Sequence, residues 1–550
     1  MGKCRTMIGK KDINVKKNKR TKIIITGVLT VGLLTVVLIF SGCIQQKEQS
    51  EDEHTLIQAS SHDIGDINGH LYGGAQMAQG MVYETLVENT FNGPKPRLAE
   101  SWNISDDGKV YTFYLRKNVK FQDGEPFNAQ AVKDNIDAVQ RNKERHAWLA
   151  LSSKIVSCDV VDNYTVNLVL SEAYYPTLNE LGYTRPYSMM SPKCFLNGET
   201  KNGVSGHIGT GPYKLIDHVE DQYATFEANP NYWGGEPSIK KIIRKVLPTG
   251  QTTLLALQKK EVNFLCTESG GNMLDFQAIK DLEKNGDYQI TQSDPVSTKI
   301  LLVNTGNPDS PLADKSVREA VWYAIDRNSM AKLSGGEELP AETLMSKAIP
   351  YCNIDLKARS FDPEKARQIL DAAGWKLKKG AEYRTRNGET LKFDLCYFSA
   401  KPEQKTMSEL IQSNLKEIGI QLELIGEENN ACYDRRKTGN YDMLFDVTWG
   451  VPYEPHCTAN ILKPGGSYDA TTKGLPEAEK LNQEVDDVLA SKDEATRKKL
   501  YAEIFTTVHE EANIIPLTYG HLTVIYPKNL EDVHFLQNQY EFPFKDLKFK

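Results

Sequence analysis

Nine cysteines are spread over 550 residues without a single Cys-x-x-Cys pair. Beyond Cys4 and Cys43 the set is Cys158, Cys194, Cys266, Cys352, Cys396, Cys432 and Cys457. An odd, scattered set does not build a disulfide framework, and it lacks the ligand spacing of a structural zinc site. Most are expected to be small buried hydrophobes. Positive charge is also in short supply. The formal net charge is -7, which argues against nucleic acid as a partner. There is no P-loop, no nucleotide-type Gly-x-Gly-x-x-Gly and no Gly-x-Ser-x-Gly. His509-Glu510-Glu511 opens like a zinc-protease helix, but residue 513 is Asn, so the second ligand is missing. The ten histidines are dispersed. Nothing supports catalysis, and the chain is read as a non-enzyme without a cofactor. Hydrophobic residues make up 40% and charged residues 25%, which is ordinary globular composition and not that of a polytopic membrane protein. The length exceeds what one hydrophobic core sustains, so more than one lobe is expected.

One long apolar run exists, from Ile23 to Phe40, with no charged residue in it. Basic residues crowd ahead of it, and residues 1–42 carry +8, leaving -15 on the remainder. Ser41-Gly42-Cys43 closes the run. A basic region, an apolar region and small residues before a break describe a secretory signal. A plain membrane-spanning anchor is the competing reading, since the run is near the spanning minimum. Cys43, directly after two small residues, resembles the lipidated cysteine of a bacterial lipoprotein. Phe40 departs from that pattern, which usually has Leu there. Residues 1–42 are thus read as a signal peptide and Cys43 as the lipidation site of a membrane-anchored, extracytoplasmic protein. Residues 43–55 form a polar tether with almost nothing to bury.

Downstream, Asp106-Asp107-Gly108 marks a turn, and Val110 to Leu115 alternates as a strand does. Phe127 to Arg141 predicts a helix with Asn128 as its N-cap. After about residue 298 longer strand–helix alternation begins, suggesting an α/β lobe. Helices are predicted from Asp362-Pro363 to Ala373, from Lys405 to Ile418, and over most of Ala478 to Leu500. Strands return between Ile514 and Val524.

Three stretches carry a family resemblance: Ala99-Glu100-Ser101-Trp102 through Pro126-Phe127, Gly209-Thr210-Gly211-Pro212-Tyr213, and Asn231-Tyr232-Trp233-Gly234. Together they resemble the extracytoplasmic solute-binding proteins of the oligopeptide/nickel family, which feed ABC importers. The resemblance implies an α/β fold of two lobes, as in periplasmic binding proteins, with a subdomain inserted in the first. Residues 56–297 and 517–550 would form the first lobe, with the insertion at about 97–208, and residues 298–516 the second. His70-Leu71-Tyr72, Gln76-Met77, Met81-Val82-Tyr83-Glu84, Arg145-His146-Ala147-Trp148, Arg185-Pro186, Thr448-Trp449-Gly450 and Pro452-Tyr453-Glu454-Pro455-His456 look like the nickel-binding branch. That branch implies ligand contacts from Met77, Arg145, Trp148, Arg185, Trp449 and Tyr453. It usually has a metal-contacting histidine in a loop that here reads Lys463-Pro464-Gly465-Gly466-Ser467-Tyr468, with none. His456 is the nearest substitute.

Two arginines repel bare Ni²⁺ but suit an anionic chelate, because guanidinium forks bind carboxylates bidentately. Surface or interlobe ion pairs are the plainer role for both, and core packing is the plainer role for the aromatics and Met77. The expected cargo is therefore nickel held in a chelate or metallophore, with ABC permease subunits as partners and a monomeric receptor. An oligopeptide receptor is the alternative.

Overall fold

The computed structural model describes residues 55–267, 274, 276–334 and 338–550. The leader, Cys43 and nearly all of the tether fall outside them. Among the described residues, no helix is long and apolar enough to cross a membrane.

Two sheets organise the chain, giving a two-lobed α/β fold. The first has seven strands in the order Tyr213–Val219, Tyr223–Ala228, Lys241–Val246, Leu56–Ser60, Phe264–Cys266, Thr523–Pro527 and Tyr288–Gln292. The second has six, in the order Leu339–Pro340, Ile514–Gly520, Ser297–Val303, Met443–Val447, Lys392–Phe398 and Gln421–Glu427. The chain passes from one to the other between Gln292 and Ser297, and returns between Gly520 and Thr523. The strands expected over 514–524 are two, one in each sheet, and Ile514–Gly520 stays whole in the second.

Between the first strand and Tyr213 lies a separate four-stranded antiparallel sheet, in the order Ala99–Ile104, Val110–Leu115, Thr165–Leu170 and Ile155–Asp162. This is the inserted subdomain. Gly108, at φ +74°, makes the turn between its first two strands, a conformation glycine adopts without a Cβ penalty. The helix Ala129–Gln140 covers the sheet with Val132, Ile136 and Val139, all buried. Its N-cap is Asn128, whose side chain accepts a bond from the Ala131 N–H.

Local signals fix other elements similarly. Asp362 caps Pro363–Ala372, with Pro363 in the first turn, where its missing N–H costs nothing. The helix expected from Lys405 starts at Pro402 for the same reason. The stretch from Ala478 is two helices, Ala478–Ala490 and Glu494–Glu511, because Asp493 caps a new start. The seven described cysteines are all buried.

Two of the three stretches that carried the family resemblance converge on one buried carboxylate. Glu84, fully buried, accepts bonds from Thr210 Oγ1, Tyr232 Oη and Trp233 Nε1, each at 2.8 Å, and lies 3.4 Å from Arg97 Nε. Gly209 and Gly211 run so close to the Val82 carbonyl that any Cβ there would collide with it. A buried charge persists only when paired and hydrogen-bonded. These distant motifs therefore supply one another's partners.

Candidate functional site

Tyr72 is the hub of the site. The Arg145 guanidinium sits 4.7 Å from its ring centroid and that of Arg185 5.6 Å. Arg185 is anchored through Nη1, which donates to the carbonyls of Gly74 at 2.9 Å and Tyr72 at 3.3 Å. Among the described residues, neither guanidinium has a carboxylate within 4.0 Å. Arg145 is exposed and Arg185 half-buried, so both charges remain available at the rim.

Below the arginines the Tyr72 hydroxyl accepts a bond from Trp148 Nε1 at 2.9 Å and meets His146 Nδ1 at 2.8 Å. Trp148 meets Trp449 edge-on at 5.1 Å between centroids and Tyr453 at 5.7 Å. Trp449 and Tyr453 lie 6.3 Å apart. Tyr183 packs against Tyr453 at 4.6 Å, and Tyr540 at 5.6 Å from the other end of the chain. Trp449 is fixed through its carbonyl, which accepts from Gln539 Nε2 at 2.9 Å and Tyr540 Oη at 2.8 Å. The result is an aromatic cluster with two unpaired guanidiniums at its mouth. Edge-to-face rings are favoured by their quadrupoles, and guanidiniums over a ring face are held by the same field.

Five expected residues, Arg145, Trp148, Arg185, Trp449 and Tyr453, thus come together although hundreds of residues separate them. Met77 is placed differently. It is buried beneath the first sheet, its sulfur accepting from Gln58 Nε2 at 3.2 Å. Its neighbour Gln76 reaches the cluster instead, at 3.4 Å from the Tyr453 hydroxyl. His456 lies behind Tyr453. Its Nε2 is 2.8 Å from Tyr183 Oη, and its ring stacks on that of Tyr183. Burial lowers its pKa to about 3, so the ring is neutral. Tyr72, Gln76, His146, Tyr183 and Tyr540 were not singled out from the sequence. Tyr72, Gln76 and His146 stood inside motifs that were, whereas Tyr183 and Tyr540 carried no local signal.

A cavity of about 1200 Å³ opens beside the cluster. Tyr174, Tyr175, Tyr351, Arg497, Glu454 and His456 are among its lining residues. Glu454 has one oxygen bonded to Thr458 Oγ1 at 2.6 Å and the other buried without a partner. Burial raises its pKa to about 7. Glu180 and Glu541, equally enclosed, are raised to about 7 by the same cause.

Comparison with known proteins places this arrangement. Residues 93–468 match the bacterial extracellular solute-binding proteins, family 5. The chain is 37% identical to the nickel-binding periplasmic protein of Escherichia coli K12 over 88% of its own length and 93% of that protein. Its structure superimposes on that of NikA from Brucella suis, crystallised in complex with Fe(III)-EDTA, with a TM-score of 0.86 and 37% identity. That match covers 90% of this chain and all of the other. The dipeptide-binding protein of E. coli K12 is 26% identical over 92% of this chain and 95% of that protein.

Proposed function

The chain belongs to the bacterial extracellular solute-binding proteins of family 5, which bind solutes and are not enzymes; on that premise we propose that it captures nickel as an anionic chelate and delivers it to an ABC importer. The observation that carries this reading is the pair of unpaired guanidiniums over Tyr72. Bare Ni²⁺ would meet two positive charges there and few ligands to replace its water. A chelator bearing carboxylates fills the coordination sphere and turns negative charge toward Arg145 and Arg185. The relatives named for nickel and for a metal–EDTA complex agree with this ligand class. Trp148, Trp449 and Tyr453 would pack against the chelate's carbon skeleton, and His456 would act from behind, through Tyr183 and Tyr453. Met77 would support the site through its neighbour Gln76.

In this reading the two lobes, joined by crossings between Gln292 and Ser297 and between Gly520 and Thr523, close over the chelate as a monomer. Cys43 carries the lipid that holds the receptor at the membrane, and permease subunits receive the cargo.

The test is a tryptophan-fluorescence titration with NiCl₂ alone, and with nickel plus histidine or a metallophore. Losing a charge-assisted hydrogen bond costs on the order of 1.5–3 kcal/mol, roughly ten- to a hundredfold in affinity. Arg185→Ala should weaken chelate binding by about that factor and leave weak binding of bare nickel unchanged or slightly better. Tight binding of bare nickel in chelator-free buffer, with no loss for the chelate in Arg185→Ala, would overturn the proposal.

The cavity beside the cluster favours a second reading, capture of a short peptide, because its volume exceeds what a small chelate fills. A peptide that displaces the nickel chelate competitively would support it.

A further inference from the structure

Away from the aromatic cluster, the second sheet brings together two thiols and a carboxylate. Cys396 lies on the strand Lys392–Phe398, Glu427 ends the adjacent parallel strand Gln421–Glu427, and Cys432 lies in the helix Asn429–Thr438 that follows. The register pairs Cys396 with Ile425 and Phe398 with Glu427, so the ends of the two strands are level. The helix then folds back to set Cys432 Sγ 3.6 Å from Cys396 Sγ. One Glu427 carboxylate oxygen and both sulfurs lie within 4.8 Å of one another.

These positions match a coordination geometry. Two metal–thiolate bonds of ~2.3 Å opened to a tetrahedral angle hold their sulfurs roughly 3.8 Å apart, close to the separation here. Glu427 is already oriented. Its two oxygens accept from Arg435, at 2.6 Å from Nε and 2.7 Å from Nη2. An outer partner of this kind fixes a ligating carboxylate while leaving it lone pairs for a metal. Charge also balances: two thiolates, one carboxylate, one divalent ion and the Arg435 cation sum to zero. Both cysteines are fully buried, whereas Glu427 and Arg435 are partly exposed and give the site an entrance.

We propose that Cys396, Cys432 and Glu427 form a second, independent site for a thiophilic divalent ion of the zinc class, completed by water or a main-chain carbonyl. The carbonyls of Tyr397 and Glu427 are at hand, 3.5 and 3.6 Å from Cys432 Sγ. Binding exchanges two S–H bonds for two metal–sulfur bonds and releases two protons to solvent, with no oxidation. The site sits on rigid elements of one lobe, so it does not depend on the chelate pocket.

The experiment uses the whole reduced, metal-free chain titrated with Cd²⁺, following the ultraviolet thiolate-to-metal charge-transfer band. One equivalent should give the band and protect two thiols from a thiol reagent, with nickel-chelate binding unchanged. Cys432→Ser and Cys396→Ser should each abolish this band, and Glu427→Gln should weaken Cd²⁺ at least tenfold. Unchanged chelate binding by the variants reports that they have folded, and thiol protection in the wild type tests the site without any substitution. Absence of the band in the reduced wild type would overturn the proposal, as would its persistence in Cys432→Ser or a Cys396–Cys432 disulfide in the protein as isolated.

Discussion

Three buried histidines and three buried carboxylates pull protons in opposite directions. Burial lowers His70 and His146 to about 4 and His456 to about 3, so each stays neutral in the fold. An unfolded chain protonates them below about 6.5. Their contribution to stability is therefore complete above that pH and is lost as pH falls through the folded values. Glu180, Glu454 and Glu541 behave conversely. Raised to about 7 by burial, they keep a proton that the unfolded chain releases above its own value near 4.5. Their contribution is complete below the unfolded value and is lost as pH rises through 7. Where these windows overlap, from about 4.5 to about 6.5, the two sets nearly cancel, which predicts a flat pH–stability profile for this group of residues. Glu454→Gln removes one carboxyl from the balance. Acidification through that interval should then cost the variant about 1.4 kcal/mol per pH unit more than the wild type. Urea unfolding at several pH values measures this directly, and parallel profiles would show that Glu454 holds no proton there.

At the scale of single elements, capping decides more than composition. Asn128 was legible as a cap because a short polar side chain stands immediately before an apolar-periodic run. The structure shows the bond, at 3.0 Å to the Ala131 N–H. Asn128→Ala should cost about 1 kcal/mol and Asn128→Ser very little, read as a shifted urea midpoint with an unchanged slope. By contrast, the break at Asp493 was overlooked because Ala478 to Leu500 is helix-forming on both sides of it. The cap only becomes evident from the Thr496 N–H and hydroxyl that Asp493 accepts, both at 2.7 Å. The strands Ile514–Gly520 and Thr523–Pro527 fell within the stretch expected to hold strands, but the exact point of the change of sheet between them was not legible. Local hydrophobicity does not record that a chain changes sheets.

For the whole molecule, the contacts joining the two sheet systems gather around the aromatic cluster. Tyr175 N–H donates to the Leu489 carbonyl at 3.0 Å, and its hydroxyl meets that of Tyr501 at 2.5 Å. Tyr183 meets His456, and Tyr540 and Gln539 hold the Trp449 carbonyl. A ligand seated at this junction binds both halves at once and favours the closed form. Scattering should therefore show a smaller radius of gyration with nickel chelate than without, and the ligand should add ~2.7 kcal/mol of stability at a hundredfold excess over Kd. Curves that overlay with and without a tight ligand would rule out closure. The amino-acid sequence by itself determined the helix starts at Ala129 and Pro363, through their caps Asn128 and Asp362, and the glycine turn at Gly108. Those depend on neighbours a few positions away, through periodicity, capping and backbone freedom. Only the tertiary structure decided that Tyr72 would lie under two guanidiniums, that Gln76 rather than Met77 would face Tyr453, and that Cys396 and Cys432 would meet beside Glu427. Each of these follows from how distant strands and helices pack, and no local pattern in the chain encodes the direction in which a side chain points once they do.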